Sequence, residues 1–255
     1  AQNETEQEEE KLFWETFDDF STYIREKTNC SVLRDPNAEA DDLIARWIAL
    51  HPTDEHVIIS SDSDFYQLIT KNVTQFNGIT DNLITLEGIY DAKGKQVIDK
   101  KTKEPKLLGD PEWLLFEKCM RGDSSDNVFS AYPGVRKKGT KNKVGLLEAF
   151  EDRRSKGYAW NNMMLQRWTD HNGAEHRVLD DYNRNKELID LTAMPDEIKD
   201  RVDLAIITQL TNKDVGQVGS KFLKFCGKYE LTRLSDNAEQ YGRWLNQTYQ
   251  GALKQ

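Results

Sequence analysis

The chain has 255 residues, 31% of them charged, with a formal net charge of −9 and a mean hydropathy of −0.76. Such a length holds one or two domains with a sizeable core. No apolar run approaches the roughly 20 residues of a membrane helix, and no secretory signal is visible, so the expectation is a soluble, cytoplasmic protein without a membrane partner. Cys30, Cys119 and Cys226 are odd in number and widely spaced, and His51, His56, His171 and His176 lack ligand spacing. A disulfide framework and a thiolate or imidazole metal centre are therefore not expected.

In chain order, residues 1–10 carry five Glu and no base, a low-complexity run read as disordered or as the solvated tip of something larger. Leu12, Phe13, Phe17, Phe20, Tyr23 and Ile24 then recur at helical intervals and predict an amphipathic helix. Ser31-Val32-Leu33 reads as a short strand, and Asp35-Pro36-Asn37 as a turn into a helix beginning near Glu39. Val57–Ser60 predicts a buried strand and Phe65–Ile69 a short helix. Residues 73–108 read as strands and hairpins. Their Lys-rich turns, 92–95 and 100–106, suit either a phosphate backbone or a solubilised sheet edge. Asp110-Pro111 is a helix start, with Asp as cap and Pro at the first helical position, and its helix runs to about Met120.

Beyond Ala131 the pattern is helical: Val144–Phe150, Val178–Leu191, a helix after Met194-Pro195-Asp196, then Leu204–Leu210, Val218–Cys226 and Tyr241–Tyr249. Residues 151–177 are polar, lack a strong period, and are expected to form a surface excursion. Residues 134–143 hold five bases and no acid. A basic patch on an acidic chain is compatible with a nucleic-acid substrate.

Seven carboxylates fall in three short clusters. Glu39, Asp41 and Asp42 open an apolar-periodic helix, whose spacing puts Glu39 and Asp42 on one face. Asp62 and Asp64 follow the Val57–Ser60 strand two residues apart, where alternation puts both on one side. Asp123 and Asp126 follow the Asp110 helix, three residues apart. Any one cluster alone is read first as helix caps or solvated turns. Three together point further, because like charges gather cheaply only around a cation, and hard ions such as Mg²⁺ or Mn²⁺ take oxygen ligands.

The ordered motifs Glu39-Ala40-Asp41-Asp42, Ser60-Ser61-Asp62-Ser63-Asp64-Phe65-Tyr66-Gln67-Leu68, Gly122-Asp123-Ser124-Ser125-Asp126-Asn127 and Pro133-Gly134-Val135 resemble those of the flap endonuclease/5′-nuclease family. The likeness spans roughly residues 10–230. It is closest to the ribonuclease H branch of T-even-type bacteriophages, with 182–196 resembling the late helices of that branch. The resemblance implies a PIN-like α/β core with a parallel sheet, lacking its first strand, followed by a helical domain with a helix–three-turn–helix DNA-binding element. It divides the chain into a remnant of the helical arch (1–30), a nuclease core (31–127) and a helical DNA-binding domain (128–255).

By the same resemblance, Glu39, Asp41 and Asp42 bind two Mg²⁺ ions, replaceable by Mn²⁺, directly or through water. Asp62 belongs with the first ion, and Asp64, Asp123 and Asp126 with the second. The catalytic set is then Asp42, Asp62, Asp64 and Asp126. Gly134, Val135 and Gly139 shape a loop whose Arg136, Lys137, Lys138, Lys141 and Lys143 contact duplex phosphates. K⁺ is the candidate ion there, although this loop is more basic and less glycine-rich than its family counterparts. Family members begin with a strand ending in a metal-binding Asp, followed by arch lysines and arginines. Neither is in this sequence, so a fragment or half of a split protein is expected.

The implied activity is metal-dependent 5′→3′ cleavage of duplex DNA or RNA–DNA hybrid at 5′ ends and flaps, as in RNA-primer removal during replication. The implied partners are a single-stranded-DNA-binding protein and a polymerase, with the chain itself a monomer. Two other readings remain open: a non-catalytic nucleic-acid-binding protein that keeps the duplex clamp without a complete metal site, and a compact PIN-type ribonuclease, against which the basic loop speaks.

Overall fold

Asp110 caps the helix around which the larger unit is built. Its side chain accepts the Glu112 N–H (2.9 Å), and Pro111 occupies the first helical position, where a missing N–H costs nothing. The computed structural model describes residues 4–209 and 213–249. The chain divides into two compact units, one of residues 52–196 and the other of residues 1–51 with 197–255.

In the 52–196 unit, β1 (His56–Ile59), β2 (Val73–Asn77), β3 (Asn82–Ile84) and β4 (Ile89–Asp91) form a sheet in that order. Only β1 and β2 are parallel, with His56 opposite Val73; the β2–β3 and β3–β4 pairings are antiparallel. The parallel pair needs a crossover, which here is compact: a 3₁₀ turn over Ser63–Leu68. Residues 92–108 continue as turns and isolated bridges, with Asp91 and Asp99 accepting backbone N–H groups of the following lysine-rich turns. Ile69, Ile84, Ile89 and Leu108 form the core behind the sheet.

The second core of this unit lies on α3 (Pro111–Arg121). Trp113, Phe116 and Met120 recur at helical spacing and pack with Ala131, Val135, Leu146, Ala149, Phe150, Met163, Met164 and Val178. Ala131 and Val135 come from the loop after α3, and the other partners from α4 (Leu146–Glu151), α5 (Tyr158–Met164) and the start of α6 (Val178–Ile189). The stretch 151–177 is therefore no surface excursion. Met163 and Met164 are buried, and Trp168 Nε1 donates to the Ala131 carbonyl from a hairpin of β5 (Arg167–Thr169) and β6 (Glu175–Arg177). Two adjacent methionines give no period, and flexible thioethers fill irregular gaps, which is why the pattern hid them. Residues 131–145 are likewise turns rather than helix.

In the other unit, α1 (Glu4–Lys27) extends through the acidic run. Its last turns pack through Tyr23, stacked on Phe225 at 4.4 Å, while Leu12, Phe13, Trp14, Phe17 and Phe20 stay exposed. α2 (Ala40–Leu50) is tied to α7 (Asp196–Gln209) by two 2.6 Å bonds from Arg46 to Asp203. The unit closes with α8 (Val218–Lys228), α9 (Thr232–Ser235) and α10 (Ala238–Asn246). Ser31-Val32-Leu33 is not a strand; the Asn29 amide beside it bonds instead to the Leu245 carbonyl. The residues of the acidic run before Glu4, and Leu210 at the end of a predicted helix, lie outside the described residues. No described helix is long and apolar enough to cross a membrane.

Candidate metal centre and basic loop

The 52–196 unit brings Asp64, Asp123 and Asp126 together: one carboxylate oxygen of each lies within 4.8 Å of the other two. Their routes there differ. β1 ends at Ile59, so strand alternation does not aim the Asp62–Asp64 pair. Asp62 instead caps the 3₁₀ turn, its Oδ1 accepting the Asp64 N–H at 2.9 Å, and Asp64 is swung by that turn toward α3. Buried Gln75 on β2 fixes the approach by donating to the carbonyls of Ser60 (2.8 Å) and Asp62 (2.7 Å).

Asp123 and Asp126 sit on a loop closed at its neck by paired backbone bonds, Asp123 N–H to Val128 (2.8 Å) and Val128 N–H to Asp123 (2.7 Å). Gly122 makes the neck possible. Its φ is 75°, and a Cβ there would lie 2.3 Å from the Val128 carbonyl oxygen. Asn185 of α6, fully buried, donates to the Cys119 carbonyl (2.8 Å) before the loop and the Phe129 carbonyl (2.7 Å) after it. The end of α3 thus has its orphan carbonyls satisfied by side chains.

The charge balance is informative. Lys118 of α3 reaches in, bonding to Asp64 and to Asp123 Oδ2 (2.6 Å). Burial pulls the Lys118 pKa down, but its bonds to Asp123 and Asp64 outweigh burial and leave it above the ordinary lysine value. Bonds from Lys118 and Ser125 hold Asp123 well below the usual carboxylate range. Asp126 is pushed up, by desolvation and then by the negative charge of Asp123. Three oxygen donors with an ammonium lodged among them fit a hard cation: the pocket is built for positive charge, and its donor set is the one Mg²⁺ and Mn²⁺ prefer. Asp62 points its oxygen into the cap rather than into this trio, yet it lies close enough for its charge to raise Asp126.

Glu39, Asp41 and Asp42 belong to the other unit. There Asp42 Oδ2 accepts the Glu39 N–H (3.1 Å) and Asp41 Oδ1 the Asp42 N–H (3.1 Å), at the start of α2.

The basic loop lies between α3 and α4. Arg136, Lys137, Lys138, Lys141 and Lys143 are all exposed. Gly134, with φ 77°, completes the Tyr132–Val135 turn, and Val135 is buried in the α3 core, so it anchors the loop. Gly139 does not offer its N–H outward: the Glu148 carboxylate accepts it (3.0 Å) together with that of Gly145 (3.1 Å). Bonds from its own N–H and from those two glycines hold the Glu148 pKa below its ordinary value. The loop borders a concavity of about 560 Å³ lined by Gly134, Arg136, Thr140, Asn142 and Lys143. The motif reading missed Lys118, Gln75, Asn185 and Glu148. Each resembles an ordinary surface polar residue in sequence, and only Lys118, in the last turn of a helix ending at an acidic loop, carried a local signal.

No family model matches the chain. Over 134 residues, 51% of this chain, it is 34% identical to a 5′-3′ exonuclease of Buchnera aphidicola (from Schizaphis graminum), of which 39% is covered. Over the same length it is 31% identical to a DNA polymerase I of Rhizobium leguminosarum, covering 11% of that protein. The chain thus spans well under half the length of these relatives. Among solved structures, a bacteriophage T5 protein co-crystallised with metal ions is similar at a TM-score of 0.49 and 20% identity, over 82% of this chain and 73% of the other. A T5 flap endonuclease in a complex with DNA and metal ions gives 0.44 and 18%, over 95% and 73%. Over about half of its own length the chain is thus similar to proteins named 5′-3′ exonuclease.

Proposed function

We propose that this chain is the metal-binding and duplex-holding part of a metal-dependent 5′→3′ nuclease that trims RNA primers or 5′ flaps from duplex nucleic acid. The convergence of Asp64, Asp123 and Asp126, with the half-buried Lys118 ammonium bonded to the first two, carries the reading. Divalent ions bound at such carboxylates supply an activated water and stabilise the leaving oxygen. In this reading Asp64, Asp123 and Asp126 hold one Mg²⁺, with Mn²⁺ able to replace it; Asp62 is kept as a metal ligand, and so, at the start of α2, are Glu39, Asp41 and Asp42. Gln75 and Asn185 keep the two acidic loops in register. Arg136, Lys137, Lys138, Lys141 and Lys143 hold the duplex by its phosphates, which sets polarity without reading bases. Gly139 and Glu148 shape the loop, and K⁺ is its candidate ion.

The closeness to the T-even ribonuclease H branch, the division at residues 30 and 127, a monomeric state in the cytoplasm (that of the host, if the chain is phage-encoded), and partnership with a single-stranded-DNA-binding protein and a polymerase belong to the same proposal. The test is incubation with a 5′-labelled RNA–DNA hybrid, with and without Mg²⁺. Short 5′ products only with Mg²⁺, lost in Asp123→Asn and Asp64→Asn, support the nuclease. Duplex binding without any Mg²⁺-dependent product would replace it with the non-catalytic clamp.

A further inference from the structure

We infer that the Lys118 ammonium is the resident counter-ion of the Asp64–Asp123–Asp126 pocket, and that a divalent cation enters by exchanging with it. This rests on the pocket being the metal site proposed above, and it concerns how that site is held when no metal is bound.

The argument begins with which oxygens are free. Asp123 Oδ1 is committed to Ser125, accepting its backbone N–H at 2.9 Å and its hydroxyl. That leaves Oδ2 as the atom with which Asp123 can reach a cation, and Oδ2 is the atom Lys118 holds at 2.6 Å. Asp64 is engaged by the same ammonium through Oδ1. Asp126 has no ion-pair partner among the described residues. A metal reaching Asp123 through Oδ2 would sit a few ångströms from the lysine head, and two positive centres that close repel strongly, so its arrival displaces the ammonium.

The placement of Lys118 is also unusual for its type. In the last turn of a helix, a lysine ordinarily keeps its head in water and its rotamer freedom. Here the side chain is only 23% exposed, and its two partners 18% and 16%. Without it, Asp64 and the two carboxylates of the 123–128 loop would repel one another in a partly desolvated setting. With it, the acidic loops stay assembled before metal arrives, and the metal must compete for its place. Lys118 is then a positioning residue that trades metal affinity for a preformed pocket.

The test compares the full chain with Lys118→Met and with Lys118→Arg, which keeps the charge. Mn²⁺ binding is followed by calorimetry and thermal midpoints are measured with and without Mn²⁺. Asp123→Asn identifies which binding event belongs to the pocket. Exchange requires Lys118→Met to bind Mn²⁺ at least tenfold more tightly there, with a lower midpoint in the absence of metal and a larger rise on adding it, while Lys118→Arg stays within about threefold of wild type. If Lys118→Met does not fold, Lys118→Gln provides the same comparison. An affinity that is unchanged or weaker in the uncharged variant, with Asp123→Asn still removing the event, overturns the exchange and leaves the metal site standing. If Asp123→Asn removes no binding event from wild type, both readings fall together.

Discussion

Replacing Asn185 by alanine tests whether the acidic loop is held from behind. The Asn185 amide donates to two carbonyls, Cys119 at 2.8 Å and Phe129 at 2.7 Å, which flank the Asp123–Asp126 loop, and the residue is fully buried. Truncation strips the Cys119 carbonyl of its side-chain donor inside the core, at about 1–3 kcal/mol for an unsatisfied buried group. The Phe129 carbonyl is partly exposed and regains water at lower cost, and the missing side chain leaves a small cavity. Together these come to about 3 kcal/mol. For a chain of this size that lowers the thermal midpoint by about 6–12 °C. The neighbouring exposed Asn183, changed to alanine, should stay within about 0.5 kcal/mol. Circular dichroism melts of the two variants beside wild type make the comparison. An Asn185→Ala midpoint within about 1 °C of wild type would show that the loop does not depend on α6, and the account of the site's support would fail.

Gly122→Ala should cost at least about 2 kcal/mol, from the left-handed backbone and from the Cβ meeting the Val128 carbonyl, and urea unfolding reads it directly. Changing Lys138, Lys141 and Lys143 together to alanine should leave the melting midpoint unmoved. In fluorescence-anisotropy titrations on duplex it should lower affinity and flatten the salt dependence by about 0.9 per lost phosphate contact. Asp152 is held below the ordinary carboxyl value by Ser155 and by the Trp160 N–H. A depressed folded pKa means its contribution is complete above the unfolded value of about 4 and is lost as pH falls through the folded one. Stability measured between neutral pH and pH 3 should therefore drop at the acid end, and less steeply in Asp152→Asn.

Local chemistry was enough to read much of this chain. Asp110-Pro111 announced α3, because capping and a fixed proline φ act within one turn. The apolar spacing of α2 and α6 gave their elements for the same reason, and the three acidic clusters could be seen as clusters; the run of β1 gave a strand but not the expected burial, since Val57 and Ile59 are exposed and only Ile58 is buried. What periodicity could not supply was their convergence. Asp64 meets Lys118 across 54 positions of sequence, brought there by a 3₁₀ turn where strand alternation alone would have aimed it differently. Gln75 and Asn185 look like solvent-facing polar residues, and they are buried only because carbonyls from distant loops are brought to them. Met163 and Met164 have no period, and Ser31–Leu33 has the composition of a strand but no sheet to join. Side-chain pattern fixes which face of an element is apolar. Which polar groups then meet, and which lysine is drawn among which carboxylates, depends on packing between elements far apart in the chain, and that the tertiary structure alone decides.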